Sequence, residues 1–224
     1  MIELDKSLFL FLNGLHSGYW DTVMLMITRK EFWLPFYLVI LYFIFKSSGR
    51  KTLLVVILFV ILLVATDQMC QLIKDFVGRL RPVYEPAIMD QVHNVLRKGG
   101  LYGFPSSHAA NTFATFIFTS LLFKNRLYSF ILIIWAALIS YSRIYSGVHY
   151  PSDVFAGILL GLISGYLFFR LYLAADKRFF QHHHREPAVI SLNNLRAGIV
   201  VLVFLVQLVT LFLTAMILHK YNYL

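Results

Sequence analysis

Ser142-Arg143-Ile144-Tyr145-Ser146-Gly147-Val148-His149-Tyr150-Pro151-Ser152-Asp153 is a polar island between two strongly apolar runs. It holds an Arg, a His and an Asp within a dozen residues. His149 and Asp153 are four apart, which puts them on one face if a helix begins near Pro151. Pro suits a first helical position, and Ser and Asp suit a helix start. That geometry lets the Asp153 carboxylate hold one imidazole nitrogen and leaves the other free to attack. Arg143 adds a fixed positive charge beside it. Alone, the stretch reads equally well as a short loop with a solvated ion pair.

The flanking runs set the class of the chain. Of its 224 residues 59% are hydrophobic and 14% charged, against roughly 45–50% apolar in ordinary soluble domains. With a mean hydropathy of +0.71, this is the composition of an integral membrane protein. The length allows about six spans of ~20 residues and little room for a soluble domain. A single membrane-embedded domain over 1–224, all-α, is therefore expected. The net charge of +9 points to anionic lipid surfaces or to an anionic substrate. No aromatic-plus-basic module suggests nucleic acid. The one cysteine, Cys70, excludes an internal disulfide. Met1-Ile2-Glu3-Leu4-Asp5 has no positive n-region, so no cleaved signal peptide is expected.

Working outward, apolar spans are expected over about 32–45, 52–72, 109–123, 127–141, 154–174 and 197–218. Residues 5 to about 28 mix apolar residues with Asn13, His16 and Asp21 and read as amphipathic interfacial helices. Asp67 stands near the end of the second span, where it is either functional or water-facing. A long polar segment is expected from Ile73 to Pro105. Gly157, Gly161 and Gly165 form a small-xxx-small ladder that lets a neighbouring helix approach closely. Basic loop residues, with those held by function set aside, place Lys46, Arg50, Lys51, Lys124, Arg126, Lys177, Arg178, Arg185 and Arg196 on the cytoplasmic side. The polar island and the 73–105 segment then face the periplasm or exterior, in the inner (plasma) membrane.

Two further constellations lie in that outer segment. In Lys74-Asp75-Phe76-Val77-Gly78-Arg79-Leu80-Arg81-Pro82, Lys74 and Arg81 are seven apart. On a continuous helix this is two turns, ~10.5 Å of rise, with both side chains on one face. Alone it reads better as a basic helix end that snorkels to head groups. Phe104-Pro105-Ser106-Ser107-His108 is a turn into a helix whose N-terminal N–H groups suit phosphate. Alone it is equally a capped helix start with an incidental histidine.

Together the three stretches resemble the type 2 phosphatidic acid phosphatase (PAP2) superfamily, whose signature is K-x6-R-P, then P-S-G-H, then S-R-x5-H-x3-D. Lys74 and Arg81-Pro82 fit the first part, Pro105-Ser106-Ser107-His108 the second and Ser142-Arg143, His149 and Asp153 the third. Ser107 stands where the family usually has Gly; it keeps the backbone N–H and adds a hydroxyl.

The resemblance implies a lipid phosphatase working through a phospho-histidine. Lys74, Arg81 and Arg143 would form a charge cage, assisted by Ser106 and Ser107. His149 would be the nucleophile, Asp153 its orienting partner, and His108 the acid that protonates the leaving oxygen and then activates water. No cofactor or metal is needed, since Lys and Arg supply the positive charge. His182-His183-His184 would lie on the opposite side as a polar loop. The segment 83–103 would cover the site, where His93, Arg97 and Lys98 could contact a head group.

The expected partners are a lipid phosphate and the surrounding lipids, with oligomeric state open. Undecaprenyl diphosphate is the first choice of substrate because the chain is compact, with lipid A and phosphatidylglycerophosphate also open. A phosphotransferase using the same residues, a vanadate enzyme resembling the haloperoxidases and an anionic-lipid transporter are the competing classes.

Overall fold

The computed structural model describes residues 2–96, 98–180 and 192–220. Among the described residues eight α-helices follow one another: α1 (Ile2–Asn13), α2 (Gly18–Thr28), α3 (Leu34–Ser48), α4 (Thr52–Val77), α5 (Ser107–Phe123), α6 (Arg126–Tyr145), α7 (Pro151–Phe179) and α8 (Asn194–Lys220). Among the described residues there is no strand, only an isolated antiparallel bridge between Leu80 and Tyr102.

Helix ends follow local chemistry. Ser17 caps α2, and the Asn125 side chain accepts from Tyr128 N to cap α6. Pro151 opens α7, where the Asp153 side chain accepts from the N-cap amide of Tyr150 at 3.0 Å. Gly78, at φ +62°, closes α4 in the left-handed conformation and donates its N–H to Lys74 O.

That cap corrects two expectations. The helix runs through Lys74 to Val77, so the polar segment begins at Gly78 and not at Ile73. Lys74 and Arg81 do not share a helix face, because the left-handed residue between them turns the chain out of the helix axis.

Among the described residues four stretches are long and apolar enough to cross a membrane: 34–77, 126–145, 151–179 and 194–220. The first consists of α3 and α4, joined by a 3-10 turn over Gly49–Lys51. Helix α5 is shorter, at 17 residues. Large apolar side chains such as Leu53, Leu72, Phe130 and Leu202 are exposed along these helices, as suits a surface solvated by lipid tails.

Two kinds of packing hold the bundle. Along α5 and α7, Gly157, Gly161 and Gly165 lie against the backbone of Ser106, Ala110 and Ala114, and a methyl group at Gly161 would overlap the Ala110 carbonyl oxygen. Lipid tails are as apolar as Leu, so such close backbone contact is what draws helices together in a membrane. Elsewhere the fit is aromatic. Trp33, Phe36, Trp135 and Phe204 are buried together, with Trp33 stacked on Phe204 at 5.8 Å and Phe36 tilted on Trp135 at 5.7 Å. They join α3, α6 and α8 to the turn that precedes α3. At the end of the bundle opposite the polar island, Lys51 and Asp176 form a buried ion pair at 2.9 Å.

Candidate active site

Each basic side chain of the site reaches it from a different element. Lys74 sits in the last turn of α4, buried, and its Nζ donates to Ser107 Oγ at 2.6 Å. Past Gly78 the chain turns back along residues 101–103. Arg81 N donates to Leu101 O at 3.1 Å, and Gly103 N to Arg79 O at 2.9 Å. The Arg81 guanidinium is gripped by carbonyl oxygens, Nε on Tyr102 O at 3.2 Å and Nη1 on Lys98 O at 3.3 Å. Arg143 comes from the last turn of α6; its Nη1 donates to Thr28 Oγ1. Its Nε is buried with no protein partner.

The imidazoles arrive from two other directions. Ser106 is the N-cap residue of α5, which makes His108 the second residue of that helix. Ser106 N donates to Asp153 O at 2.9 Å, which ties the start of α5 to the start of α7. The Ser106 hydroxyl is buried without a partner. His149, 2% exposed, precedes the N-cap of α7. Its Nδ1 lies 3.5 Å from Asp153 Oδ2, longer than a hydrogen bond.

Lys74, Arg81, Ser107, His108, Arg143 and His149 all line one cavity of about 810 Å³. The cavity continues between α3, α4 and α6 past Ile40, Ile44, Phe59, Leu63 and Ile139. Val56 and Lys74 both line it, and their separation on α4 is on the order of 27 Å along the helix axis. It therefore has a cationic head and a long apolar shaft. Asp67 lines the shaft from α4.

The charge balance of the head is the clearest chemical signal. Lys30, Lys74, Arg81 and Arg143 line the cavity against one lining carboxylate, Asp67, while the Asp153 carboxylate is already engaged by Arg79 Nη1 at 2.9 Å. Buried positive charge without counter-charge is costly, and an anion relieves that cost. Burial first, then Arg143, Arg81 and Lys74, pushes the His149 imidazole well below its ordinary pKa, with the Gly103 carbonyl beside it opposing the shift. That shift favours the neutral imidazole, the form with a free nitrogen lone pair. Among the described residues no three His, Cys, Asp or Glu side chains gather as metal ligands.

The expected head-group contacts are placed differently from the cage. His93 Nε2 is 2.8 Å from Asp21 Oδ1, and its ring stacks on His16 at 3.7 Å. It docks the loop onto the N-terminal helices. Lys98 is exposed, with its Nζ over the Tyr84 ring at 5.7 Å. Arg97 and His182-His183-His184 lie outside the described residues.

Sequence reasoning missed four residues around the site. Thr28 holds Arg143, Arg79 holds Asp153, Asp5 holds Arg79, and Asn13 holds the end of α6 through Tyr145 O at 2.7 Å. One signal was available. Asp5, Phe9 and Asn13 are spaced by four and form a single stripe on α1, with a charge and an amide where a lipid-facing stripe would be apolar.

Comparison with known proteins agrees with the geometry. The sequence profile of the PAP2 superfamily matches residues 52–177. The chain is 43% identical over 171 residues to the "Lipid A 4'-phosphatase" of Bacteroides thetaiotaomicron, covering 75% of this chain and 76% of the relative. It is 36% identical over 85 residues to the "Undecaprenyl-diphosphatase BcrC" of Bacillus subtilis, covering 38% and 43%. The crystal structure of Aquifex aeolicus LpxE is similar with a TM-score of 0.58 at 27% identity, covering 75% of this chain and 95% of that one.

Proposed function

The chain belongs to the PAP2 superfamily, and on that premise we propose that it is a membrane lipid phosphatase acting through a phospho-histidine on His149. The observation that carries the reading is the cavity, which joins three cations and two imidazoles at one end to an apolar shaft. A lipid phosphate has that same division, an anionic head on a long hydrocarbon.

In this reading Lys74, Arg81 and Arg143 neutralise the phosphoryl oxygens, with the Ser107 hydroxyl and the N–H groups at the start of α5 assisting. His149 Nε2 attacks phosphorus in line. The P–O bond to the lipid breaks, and His108, protonated once the bound phosphate offsets the cations around it, gives its proton to the leaving oxygen. His108, now neutral, takes a proton from water. That water attacks the phospho-histidine, and inorganic phosphate leaves. Asp153 supports the positive charge that develops on the His149 ring.

The identity to a lipid A 4'-phosphatase moves the preferred substrate from undecaprenyl diphosphate to a phosphate monoester on a multi-acyl lipid such as lipid A. The shorter match to an undecaprenyl-diphosphatase favours the polyprenyl diphosphate as a second reading. We read α3 to α8 as six spans, with α1 and α2 at the interface beside the active site. The basic residues at the opposite end, Lys46, Arg50, Lys51, Lys124, Lys177 and Arg178, favour an inner membrane orientation with the site facing the periplasm or exterior.

The test is phosphate release by the purified protein from a panel of lipid phosphates, with His149→Ala beside the wild type. Release from lipid A or undecaprenyl diphosphate that disappears in the variant supports the reading. Activity retained by His149→Ala removes it. Running the reaction in 18O-labelled water separates hydrolysis from phosphotransfer, because only hydrolysis puts solvent oxygen into phosphate.

A further inference from the structure

Helix α1 is bound to the catalytic loop along one stripe. Asp5 Oδ1 accepts from Ser152 N at 3.1 Å, and Asp5 Oδ2 pairs with Arg79 Nη2 at 2.6 Å and with the Ser152 hydroxyl. Phe9, fully buried, meets the Tyr150 ring edge-on at 5.4 Å. Asn13 Nδ2 donates to Tyr145 O at 2.7 Å and to His93 O at 2.9 Å. These contacts grip the end of α6 and the start of α7, the two points that hold the His149 loop.

Arg79 is the bridge between that stripe and the chemistry. Its Nη1 donates to Asp153 Oδ1 at 2.9 Å and to Ser152 Oγ at 2.6 Å, and its guanidinium lies over the Tyr150 ring at 4.0 Å. Asp153 Oδ2 accepts from Tyr150 N at 3.0 Å and is the oxygen nearest His149 Nδ1. Both carboxylate oxygens are therefore fixed, and the plane of the carboxylate with them. What fixes the planar guanidinium is Asp5 on its other nitrogen and the Tyr150 ring beneath it.

We propose that Asp5 and Arg79 are positioning residues for the nucleophile: through Arg79, the N-terminal helix sets the orientation of Asp153 and so of His149. Arg79 does not line the cavity and is no member of the charge cage, although it lies between two members of it in sequence. Without Asp5 the guanidinium keeps its bond to Asp153 but loses the anchor that holds its plane. Asp153 then samples orientations in which Oδ2 does not face the imidazole. This rests on the reading of His149 as nucleophile.

The experiment uses the full chain in detergent micelles or vesicles and compares the wild type with Asp5→Asn, Asp5→Glu, Arg79→Lys and Lys6→Ala. Asp5→Asn keeps the shape and loses the charge. Its kcat on the lipid phosphate falls about tenfold with KM unchanged, since only ring orientation is affected. Asp5→Glu recovers part of that loss. Arg79→Lys, which keeps the charge but not the fork, loses more than Asp5→Asn. Lys6, on the same helix as Asp5 and paired with Glu85 of the segment between α4 and α5 at 3.2 Å, is the control, and Lys6→Ala keeps the wild-type kcat. If the Asp5 variants lose Tm but the folded fraction keeps the wild-type kcat, α1 is a structural clamp only and the proposal is overturned. Unchanged kcat and Tm overturn it too.

Failure of the underlying reading is seen separately. If the wild type releases phosphate from no lipid, orthovanadate binding serves as the readout, because vanadate takes the trigonal-bipyramidal form of a phosphoryl in transfer and bonds to an imidazole nitrogen. Binding about tenfold weaker in Asp5→Asn and lost in His149→Ala supports positioning; equal binding in Asp5→Asn and wild type overturns it.

Discussion

The α5–α7 seam and the α3–α4 wall stand on two sides of one cavity and are built on opposite rules. The seam is glycine and alanine, with backbone against backbone and no room for a methyl group at Gly161. It carries His108 and Asp153 at its outer end. The wall is large side chains, Ile40, Ile44, Phe59 and Leu63, and it leaves the shaft open between them. Chemistry needs positions held to fractions of an ångström, which close backbone packing provides. A hydrocarbon tail needs space and tolerates imprecision. Under the proposed function the seam would position the reacting groups and the wall would take up the substrate's tail.

The sharpest way to break that division is at the reacting group. His149→Ala should lower phosphate release by at least about 10⁴-fold while leaving KM and Tm close to wild type; single-turnover assays with the lipid phosphate measure it. Next comes His108→Ala, expected to cost on the order of 10³-fold on a monoester, because an alkoxide leaves poorly without a proton. A diphosphate has a better leaving group, so its loss should be smaller, and equal losses on both substrates would count against His108 as the acid. Gly161→Val attacks the seam itself. Overpacking should cost about 1–3 kcal/mol, read as a lower unfolding midpoint with a parallel loss of kcat.

The wall should respond differently. Leu63→Trp fills the shaft, so KM for a long-chain lipid phosphate should rise about tenfold, while a short-chain analogue keeps the wild-type values. If Leu63→Trp slows both substrates alike, the shaft is not where the tail lies. The smallest effect is expected from pH. Burial and the surrounding cations hold His149 well below its ordinary pKa. It therefore stays neutral as pH falls through about 6.5, and kcat/KM on the short-chain analogue should change little there on account of this residue. Stability moves in the other direction. The unfolded chain protonates this histidine below about 6.5 while the folded chain does not, so its contribution to folding is present above that pH and declines below it.

The sequence was legible where function depends on residue type at fixed local spacing. The residues of the three polar stretches, far apart in the chain, line the same cavity, and the glycine ladder on α7 marked a close helix contact before its partner α5 was known. Reading failed where a single backbone conformation decided the outcome. Gly78 was visible as a glycine, but its left-handed φ ends α4 and sends Arg79 and Arg81 different ways. It failed again where contacts are long-range. Asp5 meets Ser152 across 147 positions, and no periodicity encodes that pairing. His93 shows a third kind of limit, since an exposed-looking loop histidine turns out to stack on His16 and bond to Asp21.

The Lys51–Asp176 pair joins the N-cap residue of α4 to the last turn of α7. The far ends of those same two rods carry Lys74 and Asp153. An α-helix is stiff along its axis, so the pin sets how far each rod protrudes at the other surface. Slippage by one turn at the pin would displace a catalytic end by about 5.4 Å. Alignment at the active-site end is thus governed in part by an electrostatic latch at the opposite end of the bundle.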